Sequence, residues 1–255
     1  MQKQEPTKGF MIVASYERNF YLYALNLIES IKDYYPEAKC ALGVSPYLKD
    51  GRESVADFVF DVGDTPREKL IGLTKTPYDL TCYIDADCEV QHEDIATVFD
   101  QLGDNDMVFS ALTEEREYCY KERKFPGGEF KLCGANFVYD MRNPLVREFM
   151  QDWKDIFWSQ HPSYENTWWP KNDKGEWDFD LYPESLRQWD QFTLWWLTNK
   201  VDKYKELKYD VFEDDARWNW FALYIESLVP IKGPPIITHH SWGIDKYDKY
   251  IGNIG

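Results

Sequence analysis

Short apolar runs that alternate with amphipathic stretches are what most restricts the fold of this 255-residue chain. Phe10-Met11-Ile12-Val13-Ala14 reads as a buried strand. Asn19 to Tyr35 then carries Leu22, Leu25, Ile28 and Ile31 at helical spacing until Pro36 ends the pattern. Cys40 to Val44, Phe58 to Phe60 and Leu80 to Ile84 read as further strands, with a helix at Arg67 to Leu73 between the last two. The same logic predicts a helix over Glu93 to Leu102, strands at Met107 to Ala111 and Asn136 to Tyr139, and a helix over Pro144 to Phe157. Strands interleaved with helices imply an α/β fold with a mixed, mostly parallel central sheet. No internal repeat and no low-complexity linker divides the chain, which is long enough for one large domain with a sizeable core.

Composition removes several classes of function. With 45 Asp+Glu against 29 Lys+Arg the formal charge is −16, which argues against charge-driven binding to nucleic acid or anionic lipid. No apolar run approaches a membrane span, and Met1 to Lys8 is polar with no signal-type apolar region after it, so a cytoplasmic protein is expected. Cys40, Cys82, Cys88, Cys119 and Cys133 form no Cys-x-x-Cys pair and read as buried thiols in a reducing compartment. Eight tryptophans fall in the 44 residues from Trp153 to Trp196. Trp153 and Phe157, like Phe192, Trp195 and Trp196, repeat at helical spacing and should pack inward. Trp168, Trp169 and Trp177 lie in a polar stretch without period. They either pin a loop or offer flat platforms for sugar rings.

Ile84-Asp85-Ala86-Asp87 places two carboxylates at i and i+2 where a strand runs out. Strand alternation should send both to one side, where they can share a cation. In open α/β sheets the ligand crevice lies beyond the carboxyl ends of the strands. Like charges this close need a metal or a proton between them, and carboxylate oxygens suit Mg²⁺ or Mn²⁺. Solvated turn aspartates are the competing reading. Of only four histidines, His239 and His240 follow the apolar run Pro234 to Thr238, and an imidazole at a strand end could complete a carboxylate site. In His240-x-x-Gly243-x-x-Lys246 the glycine permits close backbone approach and the lysine offers a cation to phosphate.

Lys69, Ile84-Asp85-Ala86-Asp87, Asp190-Gln191 and His240-x-x-Gly243-x-x-Lys246, taken in order, resemble the motif series of glycosyltransferase family 8, the group with glycogenin and the bacterial lipooligosaccharide galactosyltransferases. The resemblance implies the GT-A fold and transfer of a hexose from a UDP-sugar to a glycan or other hydroxyl acceptor, with retention at the anomeric carbon. It implies a single GT-A domain with a nucleotide-sugar-binding part over about 8–112, an acceptor side over about 113–235, and a metal- and diphosphate-binding segment at 236–250. Asp85, Asp87 and His240 would hold Mn²⁺ or Mg²⁺, with Ala86 in the same donor-facing turn. Gly243 and Lys246 would hold the diphosphate. Ala14, Ser15, Tyr16 and Phe20 match positions that cradle the nucleoside, Lys69 a lysine that reaches toward the donor, and Asp190 and Gln191 the pair beneath the transferred sugar. The role implied is polysaccharide biosynthesis.

The sequence departs from that family at Leu132-Cys133-Gly134-Ala135-Asn136, where Leu132 stands in place of an asparagine that contacts the donor sugar. Phe20 keeps an aromatic ring where one with a hydroxyl is frequent. Two other classes compete. A Ca²⁺-dependent glycan-binding module would use the aspartates and tryptophans but leaves Lys69, Asp190-Gln191 and Lys246 unexplained. A phosphatase of the haloacid dehalogenase type also places Asp-x-Asp after a strand, but near its N-terminus and with Thr or Val where this chain has Glu89.

Overall fold

The computed structural model describes residues 5–111, 132–159, 190–221 and 231–240. The first strand–helix units form as their periodicities predict: β1 (Lys8–Ala14), α1 (Arg18–Tyr34), β2 (Cys40–Val44), β3 (Phe58–Asp61), α2 (Lys69–Thr74) and β4 (Leu80–Ile84). The chain continues through β5 (Cys88–Val90), β6 (Met107–Ala111), β7 (Leu132–Asp140), α3 (Pro144–Ser159), α4 (Asp190–Lys200), β8 (Tyr209–Val211), α5 (Asp215–Trp218), β9 (Trp220–Phe221) and β10 (Ile237–His239).

Seven strands make the central sheet in the order β3-β2-β1-β4-β7-β6-β8. All its pairings are parallel except those of β7, which runs antiparallel to both β4 and β6. The sheet is therefore mixed and mostly parallel, with helices on both faces. Alternation along β1 decides what each face buries. Phe10, Ile12 and Ala14 pack with Leu25, Ile28 and Ile31 of α1, while Met11 and Val13 pack with Leu70 and Leu73 of α2, Trp153 of α3 and Leu194 of α4. A second sheet of three short strands, β5-β10-β9, sits beyond the end of β4.

Three local readings change. Residues Glu93–Leu102 form successive tight i→i+3 turns in place of an α-helix; buried Ile95 and Val98, like Phe99 and Leu102, are three residues apart, which suits that winding. β7 begins four residues before the predicted strand, because Leu132 and Cys133 pair with Ala111 and Ser110 across an irregularity in β6. β5 has only three residues, too few for alternation to reveal. The helical aromatics pack as expected: Trp153, Phe157, Phe192 and Trp195 are buried and Trp196 is half-buried. Cys40, Cys82, Cys88 and Cys133 are buried thiols. Trp168, Trp169, Trp177 and Cys119 lie outside the described residues. Among the described residues no helix is long and apolar enough to cross a membrane.

Phe137, on β7, is wholly buried and stacks on Phe109 at 5.0 Å between ring centroids, with Tyr83 at 5.4 Å and Trp153 at 5.7 Å. Removing this ring opens a cavity that three surrounding elements, β4, β6 and α3, hold apart. Phe137→Ala should cost about 3–5 kcal/mol of stability in urea unfolding; a loss under about 1 kcal/mol would mean that the layer repacks.

Candidate active site

The candidate site forms where β1 and β4, parallel neighbours, run out on the same edge of the sheet. Antiparallel β7 brings its first residues to that edge, since Asn136 pairs with Ile84. Ala135 accepts a hydrogen bond from the Asp85 main-chain N–H at 2.9 Å, which fixes the turn that carries the two aspartates. α2 starts with Lys69 and α4 with Asp190. The sequence-distant residues Lys69, Asp85, Gly134 and Asp190 thus come within reach of one another.

Lys69 is the hub. Its Nζ lies 2.5 Å from Asp190 Oδ2 and 3.5 Å from Asp85 Oδ1, and donates to the Gly134 carbonyl at 3.3 Å. Burial works against the ammonium charge, but Asp190 and Asp85 outweigh it and raise its pKa. Burial would likewise push the Asp190 carboxyl up, yet Lys69 and then Arg67, whose Nη1 stands 3.5 Å from Oδ1, hold it below the usual carboxylate range. Gln191 ties α4 to the start of β7. Its Oε1 accepts from the Gly134 N–H at 2.8 Å, and its Nε2 donates to the Leu132 carbonyl. Trp153 Nε1 donates to the Asp190 carbonyl at 2.8 Å and clamps the other side of the same turn.

The two aspartates have different neighbours. Asp85 accepts a 2.7 Å hydrogen bond from the Tyr83 hydroxyl as well as facing Lys69. Burial raises its carboxyl above the usual range, Lys69 opposes this, and the charge of Asp87 adds to the rise. Asp87 is lowered, because His239 more than offsets its burial. His239 Nε2 stands 3.2 Å from Asp87 Oδ1. Ligand atoms of Asp87, Cys88 and His239 all lie within 4.8 Å of one another, a grouping able to hold a cation.

The imidazole facing Asp87 is thus His239, whereas the spacing to Gly243 singles out His240. Strand pairing separates the two rings, and Asp87, in the turn before β5, lies outside the strand alternation, so its carboxylate can turn to the His239 side. Antiparallel to β5, β10 sets Thr238 opposite Glu89 and His239 opposite Cys88. Successive strand residues face opposite sides. His240 therefore shares the side of Thr238 and Glu89, its Nε2 3.3 Å from Glu89 Oε2, while its main-chain N–H donates to the Asp87 carbonyl at 2.9 Å. Gly243 and Lys246 lie outside the described residues.

At the carboxyl end of β1, Ala14 is buried and Ser15 gives its hydroxyl to the Thr65 carbonyl at 2.6 Å. Tyr16 adopts a left-handed backbone, φ 72°, uncommon for a residue with a large side chain, and leaves its ring half exposed at the strand end. The Tyr47 hydroxyl donates to its carbonyl at 2.5 Å and holds that turn. Phe20 is half-buried on α1, edge-on to Tyr23. Ala86 points into the core.

Several contributors are absent from the motif series. Arg67 and Tyr83 flank the hub; Tyr83 is on β4 two residues before Asp85, so the alternation expected to align Asp85 with Asp87 already pointed to it. Asn136, a polar side chain inside an apolar strand, carried a signal of its own.

The comparisons with known proteins bear on the fold. No protein-family model and no curated protein sequence matches the chain. Among solved structures it is similar to the galactosyltransferase LgtC in complex with donor and acceptor sugar analogs, with a TM-score of 0.54 and 13% identity over 96% of this chain and 95% of that one. It is also similar to the glycosyltransferase GlyE of Streptococcus pneumoniae, with a TM-score of 0.56 and 15% identity over 91% of this chain and 54% of that one. A third is the bifunctional glycosyltransferase WbbM, with a TM-score of 0.55 and 14% identity over 99% of this chain and 50% of that one. The chain therefore spans nearly all of the first and about half of the other two, and the architecture it has in common with all three is the GT-A glycosyltransferase fold.

Proposed function

We propose that the chain is a metal-dependent glycosyltransferase that moves a hexose from a UDP-sugar to a hydroxyl of a glycan or small acceptor, with retention at the anomeric carbon. The observation that carries this reading is the meeting of Asp87, from mid-chain, with His239, from the C-terminal strand β10, at 3.2 Å, close enough to the Lys69–Asp190 pair for Lys69 to act on Asp87. The sheet edge where they meet is the ligand-binding end of an open α/β fold. Sugar-transferring enzymes of the same fold support the class of reaction.

The donor set fits a divalent ion of the Mn²⁺ or Mg²⁺ kind. Burial and like charge raise the Asp85 carboxyl, so this corner of the site lacks positive charge. Of the grouped donors Asp87 and His239 suit Mn²⁺, and the Cys88 thiol, kept protonated by burial and donating to Asn136, is not a thiolate ligand, whereas Ca²⁺ takes about six to eight oxygen ligands, which weighs against a Ca²⁺-held glycan-binding module. Asp87 and His239 would hold the ion, with Asp85 alongside. When bound it would supply Lewis-acid stabilisation of the departing diphosphate.

The protein's own groups do the rest. In a chain of formal charge −16, Lys69 and Arg67 bring positive charge into the crevice that an anionic donor must enter. Gly243 and Lys246 of the 236–250 segment are assigned to the diphosphate, residues about 8–112 to the nucleotide sugar and about 113–235 to the acceptor. Tyr16, its ring exposed beyond β1, is assigned to the nucleoside. Asp190, held ionised by Lys69, is assigned the negative charge that would stabilise an oxocarbenium-like sugar or attack it as nucleophile. Gln191, bonded to both Leu132 and Gly134, fixes the floor on which that sugar would rest.

UDP release from UDP-glucose, UDP-galactose and their N-acetyl forms should depend on added Mn²⁺ and vanish with a chelator; phosphate release from a monoester, or glycan binding without nucleotide binding, would sink the proposal. Asp87→Asn should abolish metal-dependent nucleotide binding in titration calorimetry while leaving the circular dichroism spectrum unchanged.

Asp190→Asn should lower kcat by about 10²–10³-fold with little change in donor KM. A rise in KM alone would make Asp190 an anchor.

Lys69→Met leaves Asp190 without its nearest counter-ion and should cost about 3–5 kcal/mol at neutral pH. Asp190 has a lowered folded-state pKa, so the stability it contributes is present above the unfolded value of about 3.9 and is lost as pH falls through the folded value. The raised pKa of Asp85 works in the opposite sense. Denaturant midpoints measured across pH should therefore show the gap between wild type and Lys69→Met closing below about pH 4; a gap that stays constant would mean that packing and not charge accounts for the loss.

A further inference from the structure

Behind His239 lies a buried polar chain that the motif series does not contain. Asn136 on β7 is fully buried, and so are Ser110 on β6 and, to within 2%, Asn219 between α5 and β9. Asn136 Nδ2 donates to the Trp218 carbonyl at 3.0 Å and to Asn219 Oδ1 at 3.3 Å. Asn219 Nδ2 donates to Ser110 Oγ at 3.1 Å, and Ser110 in turn donates to the Cys133 carbonyl at 3.4 Å. His239 Nδ1 stands 3.0 Å from Asn219 Oδ1.

Two main-chain carbonyls fix every direction in this chain, because a carbonyl can only accept. From the Trp218 carbonyl, the Asn136 atom beside it must be the donor nitrogen, and that nitrogen also faces Asn219, whose atom there must be the oxygen. From the Cys133 carbonyl, Ser110 must donate its proton, which leaves its oxygen to accept from the Asn219 nitrogen. Both routes turn the Asn219 amide the same way. Its oxygen faces His239 Nδ1, so that nitrogen must carry a proton. Nε2 stands 3.2 Å from the Asp87 carboxylate, also an acceptor, so in the charged ring it donates there; with Nδ1–H held by Asn219, Nε2 is the nitrogen whose proton a cation beside Asp87 would displace.

We infer that Asn219, oriented by Asn136 and Ser110, is a positioning residue that holds His239 in the Nδ1–H tautomer and so presents Nε2 beside Asp87 as a ligand atom. This deepens the metal-site reading above and rests on it for its purpose, though the tautomer itself does not. The second partner of a ligating imidazole sets ring orientation and basicity, and its loss commonly weakens metal binding. Cys88, whose Sγ donates to Asn136 Oδ1 at 3.6 Å, completes the satisfaction of that amide.

The experiment uses the full chain with ¹⁵N-labelled histidine, metal-free, at a pH where the ring is neutral. The ring-nitrogen shifts of His239 should report Nδ1–H in the wild type and a mixture of tautomers in Asn219→Leu; an Nε2–H ring in the wild type overturns the inference. Mn²⁺ affinity, read from the free-ion paramagnetic resonance signal, should fall by about 10–100-fold in Asn219→Leu and stay within about threefold in Asn219→Asp, which keeps the acceptor. Folded Asn219→Leu that binds Mn²⁺ as the wild type does also overturns it. If Asn219→Leu does not fold, the wild-type ring spectrum decides. A wild type with no Mn²⁺ affinity refutes the metal-site reading, and the ring spectrum still tests the tautomer.

Discussion

Crowded negative charge at one sheet edge is the constraint on which the arrangement depends. Asp85, Asp87 and Asp190 come together in a chain that already carries a formal charge of −16, and each is largely removed from water. Desolvation penalises every one of the three, so each must find a partner or remain protonated. Lys69 serves Asp190 and Asp85, Arg67 adds to Asp190, the Tyr83 hydroxyl serves Asp85, and His239 serves Asp87. The compensation is incomplete only at Asp85, whose carboxyl stays raised. That residual deficit lies next to the Asp87–His239 couple, where a divalent ion would remove it.

The fold makes this gathering possible through one strand. A purely parallel sheet would bring only strand ends from βα units to the edge. Antiparallel β7 brings its own beginning there, so the Gly134 carbonyl meets Lys69 and the Gly134 N–H meets Gln191. A Cβ on Gly134 would lie 3.0 Å from the Trp153 ring, so glycine lets α3 and α4 approach the strand closely. The small sheet β5-β10-β9 then carries the C-terminal histidines to the aspartate turn. Asn136, Asn219 and Ser110 fasten that small sheet to the large one through side-chain hydrogen bonds in a buried setting, where unmade bonds are costly.

Much of the fold was legible because its elements announce themselves locally. Leu22, Leu25, Ile28 and Ile31 specify α1 by period alone, and the runs at Phe10 to Ala14 and Leu80 to Ile84 specify strands covered on both faces. What escaped was short or paired at a distance. β5 has three residues, and the early start of β7 depends on β6 across an irregular register. At the site, Lys69, Asp85, Asp87, Asp190 and Gln191 were all nameable from the sequence. Arg67 and Asn219 were not, since nothing in their local spacing sets them apart, and Asn136, though a polar residue in an apolar strand, gives no hint of its partner 83 residues on.

The sequence by itself determined the alternation of strands and helices, the acidic turn at the end of β4 and the residue types available for chemistry, because periodicity and charge are properties of neighbours along the chain. Only the tertiary structure decided which histidine meets Asp87. His239 and His240 are adjacent and chemically identical, and consecutive strand residues point to opposite sides. The register of β10 against β5 puts His240 on the side of Glu89, and the turn before β5, which carries Asp87 outside that alternation, brings its carboxylate to His239; the register is set by hydrogen bonds between segments nearly 150 residues apart.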